Sequence, residues 1–593
     1  MGNPSIKFGQ YIPKLRGELL FSGVNVKDNK AIVLFKPNSK YKGEFGFDWC
    51  EWNIENGIIE KFQDTEVSDI EYTFNDTEQK YISATDVNIY KILKSLYVKK
   101  SIGFGKQYYI SWMNLPKDIK ATLHLTTIYI SKRKDTEDEE YITFKPNEDY
   151  EINYNGQLND TIKIPLKKKN KATYDIEIIA KNETESNSLI EAIDEKGNIV
   201  GIIEMHPNKK IDLDIKIVPI VFKSSETKEK SEAIALYNKT IKAKTTDLGN
   251  SLDETLNKHS LNQAGIKSKI EPIKETSIKS DGTVERGHER IVIDLTKANW
   301  TNFYDKQEKE FKNWEFKPTE VNASKRPPES INEDGDKMFE YIEREEEEKN
   351  ELGIVTGTKK TFKTINDTRL LLDELENEYY TIYGKNFKGA LLFVTEENYY
   401  KPNTLGYSQN NPLRSQGTII FKGGLSMSDA YAHELGHMLG LEHVFLKTDE
   451  DEITEITNSI AEQNSNITNY ESNIQNRKEL IENQNKRIAR ETKRTKELGY
   501  NDDGTVDDQD WINDQEVLIS RHQNKINEYK KEIKEFENKI EDFKRKIAIE
   551  KGRGLKIKKG TSNNIMDYDI TRLYFDKFQC LVMQQEIKSF YNE

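Results

Sequence analysis

Three closely spaced histidines are the residues best suited to chemistry, and they lie in residues 431–443, which read YAHELGHMLGLEH. Residues four apart share one face of a helix, so His433 and His437 are expected to direct two imidazoles to one point. Gly440 can adopt a left-handed conformation that ends the helix and returns His443 as a third ligand. Because neutral imidazole nitrogens are common zinc ligands, this spacing predicts one catalytic Zn²⁺ ion.

Glu434 follows the first of these histidines and is predicted to act as a general base. Three protein ligands leave a fourth zinc position for water, and a neighbouring carboxylate can take that water's proton and pass it to a leaving amine. The alternative interpretation is an amphipathic helix with surface histidines. The chain has only eight histidines among 593 residues, and three of them fall in this register, which favours a zinc hydrolase site.

A second stretch, residues 562–569, reads SNNIMDYD. A turn of this sequence could be an ordinary buried turn, but a Met-containing turn after an H-E-x-x-H-x-x-G-x-x-H motif resembles the metzincin metallopeptidases. The resemblance implies that Met566 lies in an apolar floor beneath the histidines. It also implies that Tyr568 is a fifth metal ligand at rest and an oxyanion-side donor in the transition state. Val444, after the third histidine, departs from the astacin-like and serralysin-like branches, so the resemblance identifies no branch.

The resemblance also predicts a substrate-binding strand just ahead of the histidine helix. In metzincins the strand in this position is a sheet edge that pairs with an extended substrate backbone. An open edge offers unpaired backbone donors and acceptors, so such pairing is physically reasonable. The residues assigned to this role are Gly417, Thr418, Ile419, Ile420 and Phe421.

The pattern along the chain predicts a multidomain α+β protein. Short stretches of aromatic and β-branched residues recur through the first 210 residues, as in β-sandwich modules. The predicted role of these modules is binding or delivery. Large secreted or delivered bacterial proteins with metzincin-like domains have a similar order of modules. The predicted domains are a β-rich domain over 1–100, a β-sandwich-like domain over 101–210, a metzincin-like α/β catalytic domain over 211–447 and 554–593, and an inserted coiled-coil hairpin over 448–553.

The insertion is predicted from isoleucines that recur every seven residues in two series. Six heptads in each arm, joined by a polar turn at 500–509, are typical of an antiparallel coiled-coil hairpin with arms of roughly 60 Å. A dimerising coil and a mobile lid are the alternatives. We expect the hairpin to select a substrate protein or to dock a partner. The two series are Ile453, Ile460, Ile467, Ile474, Ile481 and Ile488, and Ile512, Ile519, Ile526, Ile533, Ile540 and Ile547.

Composition excludes several classes of protein. The net charge of −13 argues against nucleic-acid binding, because phosphate contacts need clustered Lys and Arg. No run approaches 18 apolar residues, so no membrane span is predicted. Cys50 and Cys580 are too few and too far apart for a disulfide framework, and both are expected to be reduced or buried. The acidic run at 343–351 is expected to be solvated surface.

These observations favour a zinc-dependent endopeptidase that acts on a protein or peptide substrate, as a bacterial secreted toxin or effector. The N-terminus has no standard signal peptide, so export by dedicated machinery is expected, with the chain cytoplasmic beforehand. The β modules are candidates for contact with that machinery. The alternative is a binding or structural component of a secretion or contractile assembly that carries a latent peptidase domain. The presence of Glu434 favours the active enzyme, because proteins that have lost catalytic activity commonly lose the catalytic base while they keep the fold.

Overall fold

The computed structural model describes most of the chain as a mixed α/β protein with many sheets and one long pair of packed helices. The predicted fold class is confirmed at this coarse level. Among the residues described, no helix is long and apolar enough to cross a membrane. The residues that are not described are 1–30, 103–105, 118, 130–139, 146, 159–160, 168–170, 246–248, 273–276, 279–283, 286–288, 316–340, 350–354, 365–367, 410–415, 447–448, 499–508, 569–572 and 592–593.

The chain divides into two compact units, each of which is assembled from separate segments. Unit 1 comprises Met1–Ile211, Lys258–Ile266 and Leu439–Glu586, and unit 2 comprises Asp212–Asn257, Lys267–Met438 and Ile587–Glu593. The four domains predicted from the sequence are a finer division, and that division stays a prediction.

The first part of unit 1 is built almost entirely of strands. Its elements are β1 Ala31–Pro37, β2 Gly46–Asp48, β3 Cys50–Trp52, β4 Ile59–Phe62, β5 Thr65–Glu66, β6 Ile70–Asn75, β7 Lys80–Ser83, α1 Ile89–Leu96, β8 Lys99–Ile102, β9 Lys106–Tyr109, β10 Ser111–Asn114, β11 Lys120–Tyr129, β12 Tyr141–Phe144, β13 Tyr150–Tyr154, β14 Gln157–Leu158, β15 Ile164–Pro165, β16 Ala172–Ala180, β17 Ser188–Asp194 and β18 Ile199–Met205.

Two sheets in this region share one apolar core. One sheet has the order β1-β11-β16-β13-β14, and the other has the order β15-β12-β17-β18-β10-β2. Val33 and Leu123 from the first sheet and Phe47 and Ile203 from the second are fully buried in that core. Because β1 pairs with β11 and β2 pairs with β10, both sheets take strands from both sides of residue 100.

Unit 2 contains the sheet and helices that precede the third histidine. Its elements are β19 Ile211–Phe222, α2 Glu226–Ile241, α3 Leu252–Lys258, β20 Ile266–Ile270, β21 Ser277–Ile278, β22 Val284–Glu285, β23 Ile291–Ile293, α4 Ala298–Phe303, β24 Tyr304–Asp305, β25 Glu310–Phe311, β26 Trp314–Glu315, β27 Tyr341–Lys349, β28 Val355–Thr364, β29 Thr368–Arg369, α5 Leu371–Tyr383, β30 Ala390–Val394, β31 Asn398–Tyr399, β32 Gly406–Ser408, β33 Gly417–Ile420 and α6 Ser428–Met438.

The main sheet of unit 2 has the order β20-β19-β30-β33-β32, with β23 also paired to β19. Strands β19, β30 and β33 run parallel, and β32 runs antiparallel to β33. Strand β30 reads ALLFV and is buried throughout, which is typical of a parallel strand covered on both faces. Helix α6 packs against β32 and β33, so this sheet positions the helix that carries the first two histidines.

The acidic run lies partly in a strand that the sequence analysis did not predict. Residues 343–349 belong to β27, which pairs with β28 in an antiparallel hairpin. The run has no alternation of apolar and polar residues, and that alternation is the signal by which a strand is recognised from sequence.

From Leu439 the chain is again in unit 1, which includes the long helix pair. The remaining elements are α7 Asp449–Leu498, α8 Gln509–Lys551, β34 Leu555–Ile557, α9 Lys577–Glu586 and a π-helical segment Ile587–Tyr591. The predicted turn at 500–509 lies outside the described residues, except for Gln509. Ser459 bonds to Glu550 near the base and Gln484 pairs with His522 farther out, so α7 and α8 pack antiparallel on each other within the chain.

The seam between α7 and α8 is apolar near its base and more polar farther out. Ile460, Ile467 and Ile474 pack with Ile540 and Ile547 in one buried cluster. Beyond this cluster, two polar residues of α7, Arg477 and Gln484, find partners on α8. Arg477 pairs with Glu532 and lies 5.7 Å from the ring centroid of Tyr529, and His522 Nδ1 donates to Gln484 Oε1 at 2.7 Å.

Candidate metal centre

Helix α6 places His433 and His437 on one face, with ring centroids 4.8 Å apart. The start of the helix is held by hydrogen bonds from buried residues. Ser428 N donates to Lys244 O at 3.0 Å, and Ser428 Oγ lies 2.7 Å from Thr255 Oγ1. Tyr431 Oη donates to Leu425 O at 3.0 Å. These bonds fix how far the helix is rotated, and therefore where its two imidazoles point.

The third histidine follows the end of the helix. Gly440 has a φ of +89°, a left-handed value that residues with a side chain seldom adopt. The chain turns there and leads to His443. All three histidines are buried, and one ring nitrogen from each lies within 4.8 Å of the others. The three histidines therefore form a buried cluster that could hold a metal ion.

The chemistry of this donor set fits a zinc ion. Three imidazoles without a thiolate suit zinc and other late first-row metals, whereas calcium and magnesium prefer oxygen ligands. Zinc–nitrogen bonds are about 2.0–2.1 Å long. The three ring nitrogens lie within 4.8 Å of one another, so the cluster could hold one ion.

The Met-containing turn is a tightly bonded segment of unit 1. Met566 is fully buried. The Asp567 carboxylate accepts hydrogen bonds from Gly560 N at 2.8 Å and from Ser562 N at 3.0 Å, so it closes the loop on itself. Asn564 and Gln579 form a reciprocal pair of amide hydrogen bonds that ties the turn to α9.

Tyr568 lies beside the third histidine. Its ring centroid is 5.2 Å from that of His443 and 5.0 Å from that of Phe445. The Lys559 ammonium lies 4.6 Å from the centroid of the Tyr568 ring. The side chain is 43% exposed, so it is accessible to a bound molecule.

The strand predicted to bind substrate lies in the interior of its sheet. Strand β33 pairs with β30 on one side and with β32 on the other. A strand with both sides paired has no free backbone edge. The prediction that β33 is the edge strand is therefore wrong. The edge strand is β32, which is the last strand of this sheet among the described residues. The five residues assigned to substrate pairing, Gly417, Thr418, Ile419, Ile420 and Phe421, are buried in the sheet instead.

The edge strand β32 is in direct contact with Glu434. Ser408 Oγ donates to the backbone oxygen of Glu434 at 2.8 Å. A Cβ atom added to Gly406 would lie 2.5 Å from Glu434 Cγ, closer than carbon atoms approach each other without a shift. Gly406 therefore leaves the space that the Glu434 side chain occupies.

Tyr407, between these two residues, is oriented by the core of unit 2. Its ring stacks on Tyr399, with centroids 6.3 Å apart and planes 13° apart. Burial and, to a smaller extent, the nearby carboxylates of Asp373 and Glu434 together raise the pKa of Tyr407 to about 12. The phenol is thus protonated throughout the physiological range, and this strand adds no negative charge next to Glu434.

Three residues around the site were missed by the sequence analysis. Gly406 lacks any motif, and Asp567 lies unremarked inside the Met-containing turn. Lys556, in β34, donates a hydrogen bond from Nζ to the backbone oxygen of His443 at 2.7 Å. Gly406 and Lys556 are identified only by contacts between segments distant in sequence. Asp567 makes local contacts, and its place in SNNIMDYD was the local signal for it.

Replacement of a histidine tests the metal site without reference to activity. In His443→Ala, we expect zinc affinity to fall by more than the roughly 10–100-fold that loss of an outer-shell partner costs, because a direct ligand is removed. Equilibrium dialysis with metal analysis measures this change. The control is His124→Ala, since His124 lies in β11 and bonds to Asp175. Equal zinc binding by His443→Ala and the wild type would contradict the site.

No protein-family model matches the chain, and neither the curated proteins nor the solved structures include a match.

Proposed function

We propose that this protein is a zinc-dependent endopeptidase. The observation that carries the proposal is the buried cluster of His433, His437 and His443, with Glu434 beside the first ligand in α6. A three-histidine site leaves a coordination position for a reactant, as catalytic zinc sites do. A purely structural zinc site commonly has four protein ligands, and sulfur is frequent among them.

The proposal includes a metzincin-like catalytic fold. Three features support it in addition to the motif itself. Gly440 has a left-handed φ, where the motif needs the helix to end. Met566 is fully buried, and Tyr568 lies against His443. Fold resemblance does not establish activity on its own, so the function still rests on the histidine cluster and Glu434.

The reaction is hydrolysis of a peptide bond. When bound, zinc would lower the pKa of a water molecule and polarise the carbonyl group of the substrate. Glu434 would accept a proton from the attacking water and donate it to the leaving amine, as a general base and then a general acid. Its side chain is buried, and a low-dielectric environment strengthens its interaction with a developing positive charge. Tyr568 would donate a hydrogen bond to the oxyanion.

The substrate backbone would pair with β32. This strand has its inner side bonded to β33, so its outer side can accept an extended peptide by strand addition. Gly406 and Ser408 both contact Glu434, which places the edge strand next to the proposed base. An extended substrate on β32 would therefore lie beside Glu434 without any change of fold.

Glu434→Gln separates chemistry from metal binding. The amide keeps the shape of the side chain and cannot accept the proton, so we expect turnover to fall by about 10²–10⁴-fold with zinc content unchanged. The assay uses a mixture of denatured and native proteins, with zinc measured on the same samples. Glu396→Gln is the control, because that carboxylate is exposed and pairs with Lys239. Full activity of Glu434→Gln would refute the mechanism.

Gly406→Ala tests the contact between β32 and the proposed base. The new methyl group would force the Glu434 side chain to move, and a displacement of about 1 Å can reduce turnover by about a hundredfold. We expect zinc binding to be retained, because the substitution does not alter a ligand. Gly423→Ala is the control, since its added Cβ would approach only Leu405 Cδ2, at 3.1 Å. Unchanged turnover in Gly406→Ala would show that this contact does not position Glu434.

The helix pair would select a substrate protein or dock a partner. The buried apolar cluster involves only part of the seam, so the base can be stable without the outer part. Exposed apolar side chains occur near the start of α8, at Val517 and Leu518. An arm of this kind can exclude or engage a folded protein while a short peptide still reaches the site.

A truncated hairpin tests that role. Residues 475–532 are replaced by a short Gly-Ser linker, which is feasible because Arg477 and Glu532 face each other across the seam. We expect zinc binding and hydrolysis of short peptides to be unchanged, because the apolar cluster is kept, whereas cleavage of native proteins is lost. Mass spectrometry of the cleaved sites measures this difference. Cleavage of the same native sites by both proteins would exclude a role in substrate selection.

The alternative function remains a binding or structural component with a latent peptidase domain. It is distinguished by the same assays, because a latent domain binds zinc and cuts neither peptide nor protein. Export without a standard signal peptide, and contact of the β-rich segment with delivery machinery, stay predictions.

A further inference from the structure

Lys556 is a buried lysine that lies next to the third histidine. It is the middle residue of β34 and is only 3% exposed. Lysine is almost never fully buried without a partner. Its Nζ donates a hydrogen bond to the backbone oxygen of His443 at 2.7 Å. A charged donor gives a shorter and stronger bond than a neutral one.

Strand β34 holds the segment after His443 at a second point. Ile557 N donates to the backbone oxygen of Val444 at 2.8 Å. Two consecutive carbonyl groups, those of His443 and Val444, are therefore held by one strand. Once its backbone is fixed in this way, the His443 imidazole can be misdirected only by rotation about its own side-chain bonds.

The strand that supplies these donors is itself well anchored. Leu555 and Lys556 pair with Thr73 and Tyr72 of β6, and Phe74 N donates to Gly554 O at 3.0 Å. The donor is thus attached to a paired strand rather than to a loop. All of these contacts lie within unit 1.

We propose that Lys556 is a positioning residue for the third metal ligand. It would hold His443 in the orientation that binds the ion through the ligand's backbone carbonyl. The inference rests on the metal site of the proposed function. Lys556 would hold His443 in place and would not contact the substrate.

Electrostatics and positioning predict opposite effects when Lys556 is removed. A buried ammonium near a divalent cation repels it, so loss of the charge alone would strengthen zinc binding. Loss of the hydrogen bond would free the His443 carbonyl and weaken zinc binding. The sign of the change in affinity therefore decides between the two effects.

The experiment compares the zinc dissociation constants of full-length variants by competition with a chromophoric chelator, without substrate. Lys556→Met keeps the apolar stem and removes the donor. We expect its dissociation constant to rise by about tenfold, the lower end of the range for loss of an outer-shell partner. The control is Lys558→Met, which removes the same charge from an exposed side chain two residues away, and its affinity should equal that of the wild type. Lys556→Arg keeps a charged donor and should restore most of the affinity.

Thermal melting of the zinc-free proteins separates this effect from loss of folding. If Lys556→Met does not fold, Lys556→Leu, which also lacks a donor, replaces it, and the same weakening is expected. Zinc binding by either folded variant that is as tight as that of the wild type, or tighter, would overturn the inference and leave the proposed function intact. A wild-type protein that binds no zinc would instead remove the proposed function, and the inference with it.

Discussion

The constraint on which the site depends is that its third ligand lies outside the helix that carries the other two. A helix can direct two imidazoles to one point through its own hydrogen bonds. His443 follows the end of α6, and its backbone oxygen is held by Lys556, which is far away in the sequence. The long insertion between these two residues must therefore return the chain accurately to one place. If Lys556 positions His443 as proposed, a metal site can form only when that return is made.

Hydrogen bonds and ion pairs at the base of the helix pair fix the position of the chain where α8 ends. Tyr81 Oη donates to Lys551 O at 2.6 Å where α8 ends. Arg553 follows, with Nη2 bonded to Tyr97 Oη at 2.8 Å and ion pairs to Asp48 and Asp576. The two carboxylates are buried, and the Arg553 side chain is only 12% exposed. Breaking a buried ion pair by removal of one partner generally costs about 3–5 kcal/mol, because the other charge is left uncompensated.

The sequence predicts well what is encoded locally, and poorly what depends on which strands become neighbours. The isoleucine series identified the helix pair because a seven-residue period is visible in one segment. The open edge was assigned to β33, and the structure places it at β32, because a short apolar strand has the same pattern in the interior of a sheet as at its edge. Lys556 was missed because a lysine between two apolar residues also fits an ordinary half-exposed strand, in which alternate side chains face solvent.

The same contacts bear on whether the helix pair acts as a mobile lid. A lid that pivoted at its base would have to break the bonds of Lys551 and Arg553 and the pairing of β34 with β6. It would also disturb the hydrogen bond that holds His443, and with it the metal site. The seam is apolar near this base and more polar farther out, so the base is the part best suited to remain fixed. These contacts therefore favour an arm whose base stays fixed over a lid that pivots at its base.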